Sequence, residues 1–360
     1  MPTPARPTWR VELRDAITPR AGVLLVAVAL LQVSFIWSYV AAFHRPTPHR
    51  VPVAVVVAGP TASAATSLIS GLNAIAGTPL WATATPSAAL GRTALADRTA
   101  FGVLSVNSPT VLGVTIDSAA GPSAATAVLA VLHRAATARH AQLQVVNLRA
   151  PDANDRNGLA SFYLVVGWVV GGYLAASLLG ISSGSRPSTP RRAAIRLAAL
   201  GLYAIATGIA GAFLVGPVLH VLPVSVGALW WLGALVVAAS AATTMGLMVA
   251  FDALGIGVVI LLFVVLGNPS AGGPYAWSLL PPLWRIIGPW LPNGAGTDAA
   301  RSISYLGGAA IGRDLAVLSA YLLLGVLVTF VIVGVTKRPV LELPEPLEWD
   351  LVASAEDTEA

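Results

Sequence analysis

Apolar residues run without a charge from Ala21 to Phe43, and a helix needs roughly 20 such residues to cross the hydrocarbon core of a bilayer. Runs of the same kind cover Leu159–Ile181, Leu197–Leu219, the stretch after Pro223 as far as Ala250, and Leu315–Val335. A shorter one, Ile256–Leu266, follows the corner Phe251-Asp252-Ala253-Leu254-Gly255; it either starts within the corner or continues past Asn268. The pattern predicts a polytopic α-helical membrane protein with about six transmembrane helices. Val40-Ala41-Ala42 has the form of a signal cleavage site. The run before it is longer than a typical signal h-region, so an uncleaved anchor is expected.

Between the first two spans the period changes. Residues 44–157 hold no membrane-length run and alternate instead between strand-like and helix-like segments. Strands are expected at Val51–Val57, Leu80–Thr85, Phe101–Val106, Val111–Ile116 and Leu143–Leu148. Helices are expected at Thr61–Ala76, Pro86–Asp97 and Pro122–His140. This is a small α/β domain, large enough for one modest core.

Composition agrees: 56% of residues are hydrophobic and only 10% are charged, against roughly 25% charged in a soluble domain. The net charge is +5, and Lys337 is the sole lysine. The arginines sit beside apolar runs rather than along one amphipathic face, which speaks for topology and against nucleic acid. Arg6, Arg10, Arg14 and Arg20 precede the first span, Arg186, Arg191, Arg192 and Arg196 separate the second from the third, and Lys337 and Arg338 follow the sixth. With six spans all three clusters lie on one side, the cytoplasmic side of a bacterial plasma (inner) membrane. The α/β domain is then extracytoplasmic and both termini are cytoplasmic. The expected order is 1–20 cytoplasmic, 21–43 transmembrane, 44–157 extracytoplasmic, 158–336 a five-helix membrane domain, and 337–360 an acidic cytoplasmic tail holding Glu342, Glu345, Glu348, Asp350, Glu356, Asp357 and Glu359.

Chemistry is sparse. Without cysteine there is no disulfide, thiolate metal site or cysteine nucleophile. His133 and His140 share a helix face but lack a third ligand, Asp97 and Asp117 make no spaced carboxylate pair, and Ser63 and Ser67 sit in no G-x-S-x-G elbow. No phosphate-binding G-x-x-x-x-G-K-[ST] occurs. The chain is therefore expected to be neither an enzyme nor a metal or cofactor binder.

Residues 268–313 form a segment rich in proline, glycine and tryptophan, too apolar for a solvent loop and too broken to span. Short helices dipping into the membrane are expected over about 270–312. Trp277, Trp284 and Trp290 would sit at the interface, and Arg285, Asp298 and Arg301 would face water or a protein cavity. The segment either seals the bundle or lines a substrate path through Pro281, Pro282, Trp284, Arg285, Pro292 and Arg301.

In order of parts the chain resembles the membrane subunits of the ABC-2 type transporter permease superfamily, especially YhgE/Pip-like membrane proteins. Val51-Pro-Val-Ala-Val-Val after the first span, Asn154-Asp155-Arg156-Asn157-Gly158-Leu159-Ala160-Ser161-Phe162-Tyr163 at the entry to the second, and Leu280-Pro281-Pro282-Leu283-Trp284-Arg285 with Leu291-Pro292-Asn293-Gly294-Ala295 and Ala300-Arg301 in the re-entrant region carry the likeness. The external domain is short for that group, and so is the connection Ser182–Arg192, where such exporters contact their ATPase. The resemblance implies a permease subunit of an exporter that moves a lipid-like or amphipathic cargo. A separate ABC ATPase would drive it, and the subunit would work as a homodimer among membrane lipids. Arg186, Arg191 and Arg192 are the candidate contact with that cytoplasmic partner. Few charges inside the spans agree with such a cargo rather than with ions. The alternative is a non-transport membrane protein whose external domain is an interaction module.

Overall fold

The computed structural model describes residues 19–335. The expectations placed on Arg6, Arg10, Arg14, Lys337, Arg338 and the acidic tail concern positions outside the described residues. Among the described residues, six helices are long and apolar enough to cross a membrane. They are α1 Pro19–Phe43, α5 Ala160–Ser183, α6 Pro190–Phe213, α7 Val226–Phe251, α8 Ala253–Ser270 and α11 Gly312–Val335. Helix α6 ends in one π-wound turn, Leu214–Val218. The short run Ile256–Leu266 both starts within the corner, at Ala253, and continues past Asn268; its second half is π-wound from Ile260 to Gly267 and closes at Ser270.

Helix α7 is the axis of the bundle, 61% buried over its most apolar window against 11–39% for the others. Small residues make this burial possible. Gly172 of α5 lies against Val237 and Ser240, Gly208 of α6 against Trp230 and Ala234, and Gly325 of α11 against Ala242 and Thr243. At each crossing the missing side chain lets one backbone approach another. Ser225 opens α7 by accepting from the Ala228 N–H at 3.3 Å, an N-cap bond. Asp252 ends it in a left-handed conformation, φ 56°, and turns the chain into α8.

Between α1 and α5 the chain forms a five-stranded sheet in the order β2-β1-β3-β4-β5. The strands are β1 Val51–Val56, β2 Leu80–Thr85, β3 Val103–Ser108, β4 Val111–Ile116 and β5 Gln142–Asn147. All neighbours are parallel except β3 and β4, the hairpin, which are antiparallel. Strand β1 is an interior strand and nearly continuously apolar because helices cover both its faces. Val51, Val53 and Val55 pack under α2 Ala62–Asn73 and α4 Pro122–Ala138, while Ala54 packs with Leu95 of α3 Ala88–Ala96. Pro52 is the second residue of β1, where β3 has not yet joined it, so its missing N–H costs the ladder nothing.

Residues 271–311 join the two halves. Helices α9 Pro282–Ile287 and α10 Pro292–Tyr305 each carry proline in the first turn, where no N–H is needed. Leu279 inserts into the core of the α/β domain and is 6% exposed there. The N–H groups of Thr47 and His49 donate to the carbonyls of Leu279 and Ser278 at 3.2 and 2.9 Å. Helix α10 packs against α5, α7 and α11, with Ala295, Ala299 and Ala300 inside the main core of the bundle.

Candidate functional site

Helix α10 is polar yet buried almost all round. Several of its polar groups find partners: the Asn293 amide donates to the Asn268 side chain at 2.7 Å and to the Phe263 carbonyl at 3.1 Å, and the Thr297 hydroxyl donates to the Asn293 carbonyl at 2.7 Å, while Asn293 Oδ1 and Ser304 Oγ are buried without a partner among the described residues. Satisfied polar groups are what a buried polar helix requires. The accepting Phe263 carbonyl lies in the π-wound part of α8, and π turns often mark functional positions.

One turn apart on α10, Asp298 and Arg301 face a cleft of about 410 Å³ between the helix bundle and the α/β domain. Arg98 enters it from the end of α3 and Arg313 from the start of α11. Trp277, Phe101 and Ala276 are among its apolar walls. Arg98 sits just past the helix end with φ 56°, a conformation usually left to glycine. The turn aims its side chain at α10: it pairs with the Asp298 carboxylate and donates to the carbonyls of Asp298 and Ala309 at 3.0 and 3.4 Å. Arg313 lies 3.0 Å from Asp298 and 2.7 Å from the fully buried Asp314, with its guanidinium 5.1 Å over the Trp277 ring. Arg301 differs from both. It is 6% exposed, and its contacts are two long ones, 3.4 and 3.5 Å, to the carbonyls of Gly272 and Gly158.

Two more groups shape the surroundings. Asp155 accepts from the N–H of Leu159 at 2.9 Å and of Ala160 at 3.1 Å, so it holds the start of α5. Burial pushes its carboxyl above the ordinary range, while the Ala160 and Leu159 amides and nearby Arg301 pull it back. Arg149, just after β5, pairs with the buried Asp117 at 2.6 Å and donates to the Tyr305 carbonyl at 2.8 Å. Arg98 and Arg149 therefore both fasten the domain to α10.

Of the six path residues expected from sequence, Arg301 lines this cleft and the other five do not. Trp284 is buried against α1, its indole N–H donating to Ser38 at 3.0 Å and its ring 5.4 Å from Trp37. Arg285 is half-buried and its side chain makes no hydrogen bond or ion pair among the described residues, while Pro281, Pro282 and Pro292 shape the entries to α9 and α10. Of the three tryptophans expected at an interface, Trp290 is 62% exposed. Trp277 and Trp284 turn inward because Ser270 and Ser38 accept their N–H groups.

The arginines at the far end of the bundle divide in the same way. Arg186 donates to the carbonyls of Val249 and Ala250 at 2.7 and 3.0 Å and so caps α7. Arg191 and Arg192 are exposed. Sequence reasoning did not find Arg98, Arg313 or the role of Trp277; the Arg313-Asp314 pair at the mouth of an apolar span was the available signal. His133 and His140 are both exposed. Comparison with family models, with curated proteins and with solved structures returns no match.

Proposed function

We propose that the chain is the membrane-spanning permease subunit of an ABC-2-like exporter, moving a lipid-like or amphipathic cargo with a separate ABC ATPase. The observation that carries this reading is α10: a short, proline-opened, polar helix buried among apolar spans, beside a cleft lined by arginine. Polar or broken backbone among membrane helices is tolerated where it lines a cavity. An apolar groove of about 510 Å³ between α5 and α6, with Tyr163, Gly167, Gly171 and Tyr203 in its wall, suits the greasy part of such a cargo. The arginine-rich end of the bundle is taken as cytoplasmic by the positive-inside rule. The α/β domain then lies outside the cytoplasm of a bacterial cell, and the subunit works as a homodimer.

Arg191 and Arg192 remain the surface for an ATPase, with Arg186 occupied as a helix cap. Isolation from native membranes in mild detergent, followed by identification of bound proteins, tests the proposal. An ABC ATPase that is lost from an Arg191→Glu, Arg192→Glu double variant is the expected result. Its absence from the wild-type preparation would overturn the permease reading. The second reading, a membrane-anchored interaction module, is favoured by one feature. Strand β5 leaves an open sheet edge with Val145 and Val146 exposed at 43% and 55%, and open edges invite pairing.

A further inference from the structure

The donors around the cleft outnumber the acceptors that they meet. Arg301 brings five N–H bonds to a place where it is 6% exposed, and the two carbonyls it reaches stand at 3.4 and 3.5 Å. Among the described residues no carboxylate lies within ion-pair distance of it. The neighbouring acids are turned to other partners: Asp298 to Arg98 and Arg313, Asp314 to Arg313 through one oxygen and to Arg98 at 3.9 Å through the other, which accepts no hydrogen bond, and Asp155 to the amides of Leu159 and Ala160. Two further donors on the same cleft, Arg98 Nε and Ser278 Oγ, are buried without a hydrogen-bond partner among the described residues. A buried cation with unspent donors is costly unless an anion meets it.

We propose that this cleft is an oxyanion site that takes the carboxylate or phosphate headgroup of an amphiphile, with Arg301 as its principal ligand and Arg98, Arg313 and Ser278 around it. A planar guanidinium matches either oxyanion in a bidentate fork. The space favours an anion attached to something larger. About 410 Å³ is within the range of small-molecule pockets and far exceeds a bare anion. Trp277 and Phe101 offer apolar walls to the remainder. Asp97 at the rim is exposed, so solvent screens its repulsion. The site rests on cleft geometry alone; that its ligand is the cargo rests on the permease reading.

Titration of the purified full chain in maltoside micelles, followed by unfolding temperature and tryptophan fluorescence, tests the site. The probes are phosphatidylglycerol, laurate, uncharged diacylglycerol and inorganic phosphate. Saturable stabilisation by phosphatidylglycerol or laurate, and none by diacylglycerol, is expected. Arg301→Gln and Arg313→Gln should each weaken it about tenfold or more, while Arg285→Gln retains wild-type affinity. Arg313 is 41% exposed, so its variant, together with Ser278→Ala, keeps the test sound if Arg301→Gln does not fold. Inorganic phosphate binding as tightly as the lipids would overturn the amphiphile as the source. Absence of anion binding, or equal binding by the arginine variants, would overturn the site. None of these readouts needs an ATPase, so arginine-dependent binding in a protein that captures no ATPase would sink the permease reading and leave the site standing.

Discussion

Replacing Gly325 by alanine tests the packing that holds the bundle around α7. A Cβ at that position would lie 2.5 Å from both the Ala242 carbonyl oxygen and the Thr243 nitrogen. Ordinary contact begins near 3.4 Å, so α11 and α7 must separate by almost 1 Å. The opposing atoms are backbone and cannot rotate away. A gap of that size forfeits a quarter to a half of the dispersion energy of each contact along the seam, and overpacking costs about 1–3 kcal/mol. The upper end is expected here, because the seam also carries the bond from the Thr243 hydroxyl to the Tyr321 carbonyl at 3.2 Å. For a chain of 360 residues 3 kcal/mol lowers the midpoint by roughly 4 °C. Gly201→Ala is the control. It lies in the middle of α6 with nothing within 4 Å of a new Cβ, and alanine there should stabilise by about 0.5–1 kcal/mol. Circular dichroism melts of both variants in one detergent decide the matter. If Gly325→Ala melts no lower than Gly201→Ala, the close crossing is not what holds α11 to α7.

Leu279→Ala should cost about 2–5 kcal/mol and expose the joint between domain and bundle to protease, because this side chain fills the core of the α/β domain; an unchanged digestion pattern would refute that role. Asp155→Ala should lose about 1 kcal/mol as the start of α5 loses its acceptor, whereas Asp155→Asn keeps one. The Asp155 carboxyl is raised in the folded state, so folding takes up a proton there and its contribution falls as pH rises from the unfolded carboxyl pKa through the folded one. Melts across that acidic window should lose this slope in Asp155→Asn. Arg149→Ala leaves Asp117 buried without its cation and should cost about 1–3 kcal/mol, measured by denaturant titration, with much of the loss recovered when Asp117→Asn is added.

Much of the architecture was legible in one dimension. Uninterrupted apolar runs marked the membrane-length helices, since removing some 20 apolar residues from water outweighs any local preference. The period-2 and period-3.6 stretches between the first two runs marked strands and helices whose limits lie within a few residues of the observed ones, as at Leu80–Thr85. Ends and winding were less legible: α8 begins inside the corner at Ala253 and is π-wound from Ile260 to Gly267, a winding that leaves no 3.6-residue trace. Function-bearing contacts were hidden for a different reason. Arg98 and Asp298 are 200 positions apart, and Ser38 and Trp284 are 246 apart. Transfer free energy is a property of each stretch by itself and can be summed along the chain. The pairing of buried charges and N–H groups depends on distances through space, so it was tertiary folding that made Arg186 a helix cap, turned Trp277 and Trp284 inward, and left Arg301 facing a cleft with donors to spare.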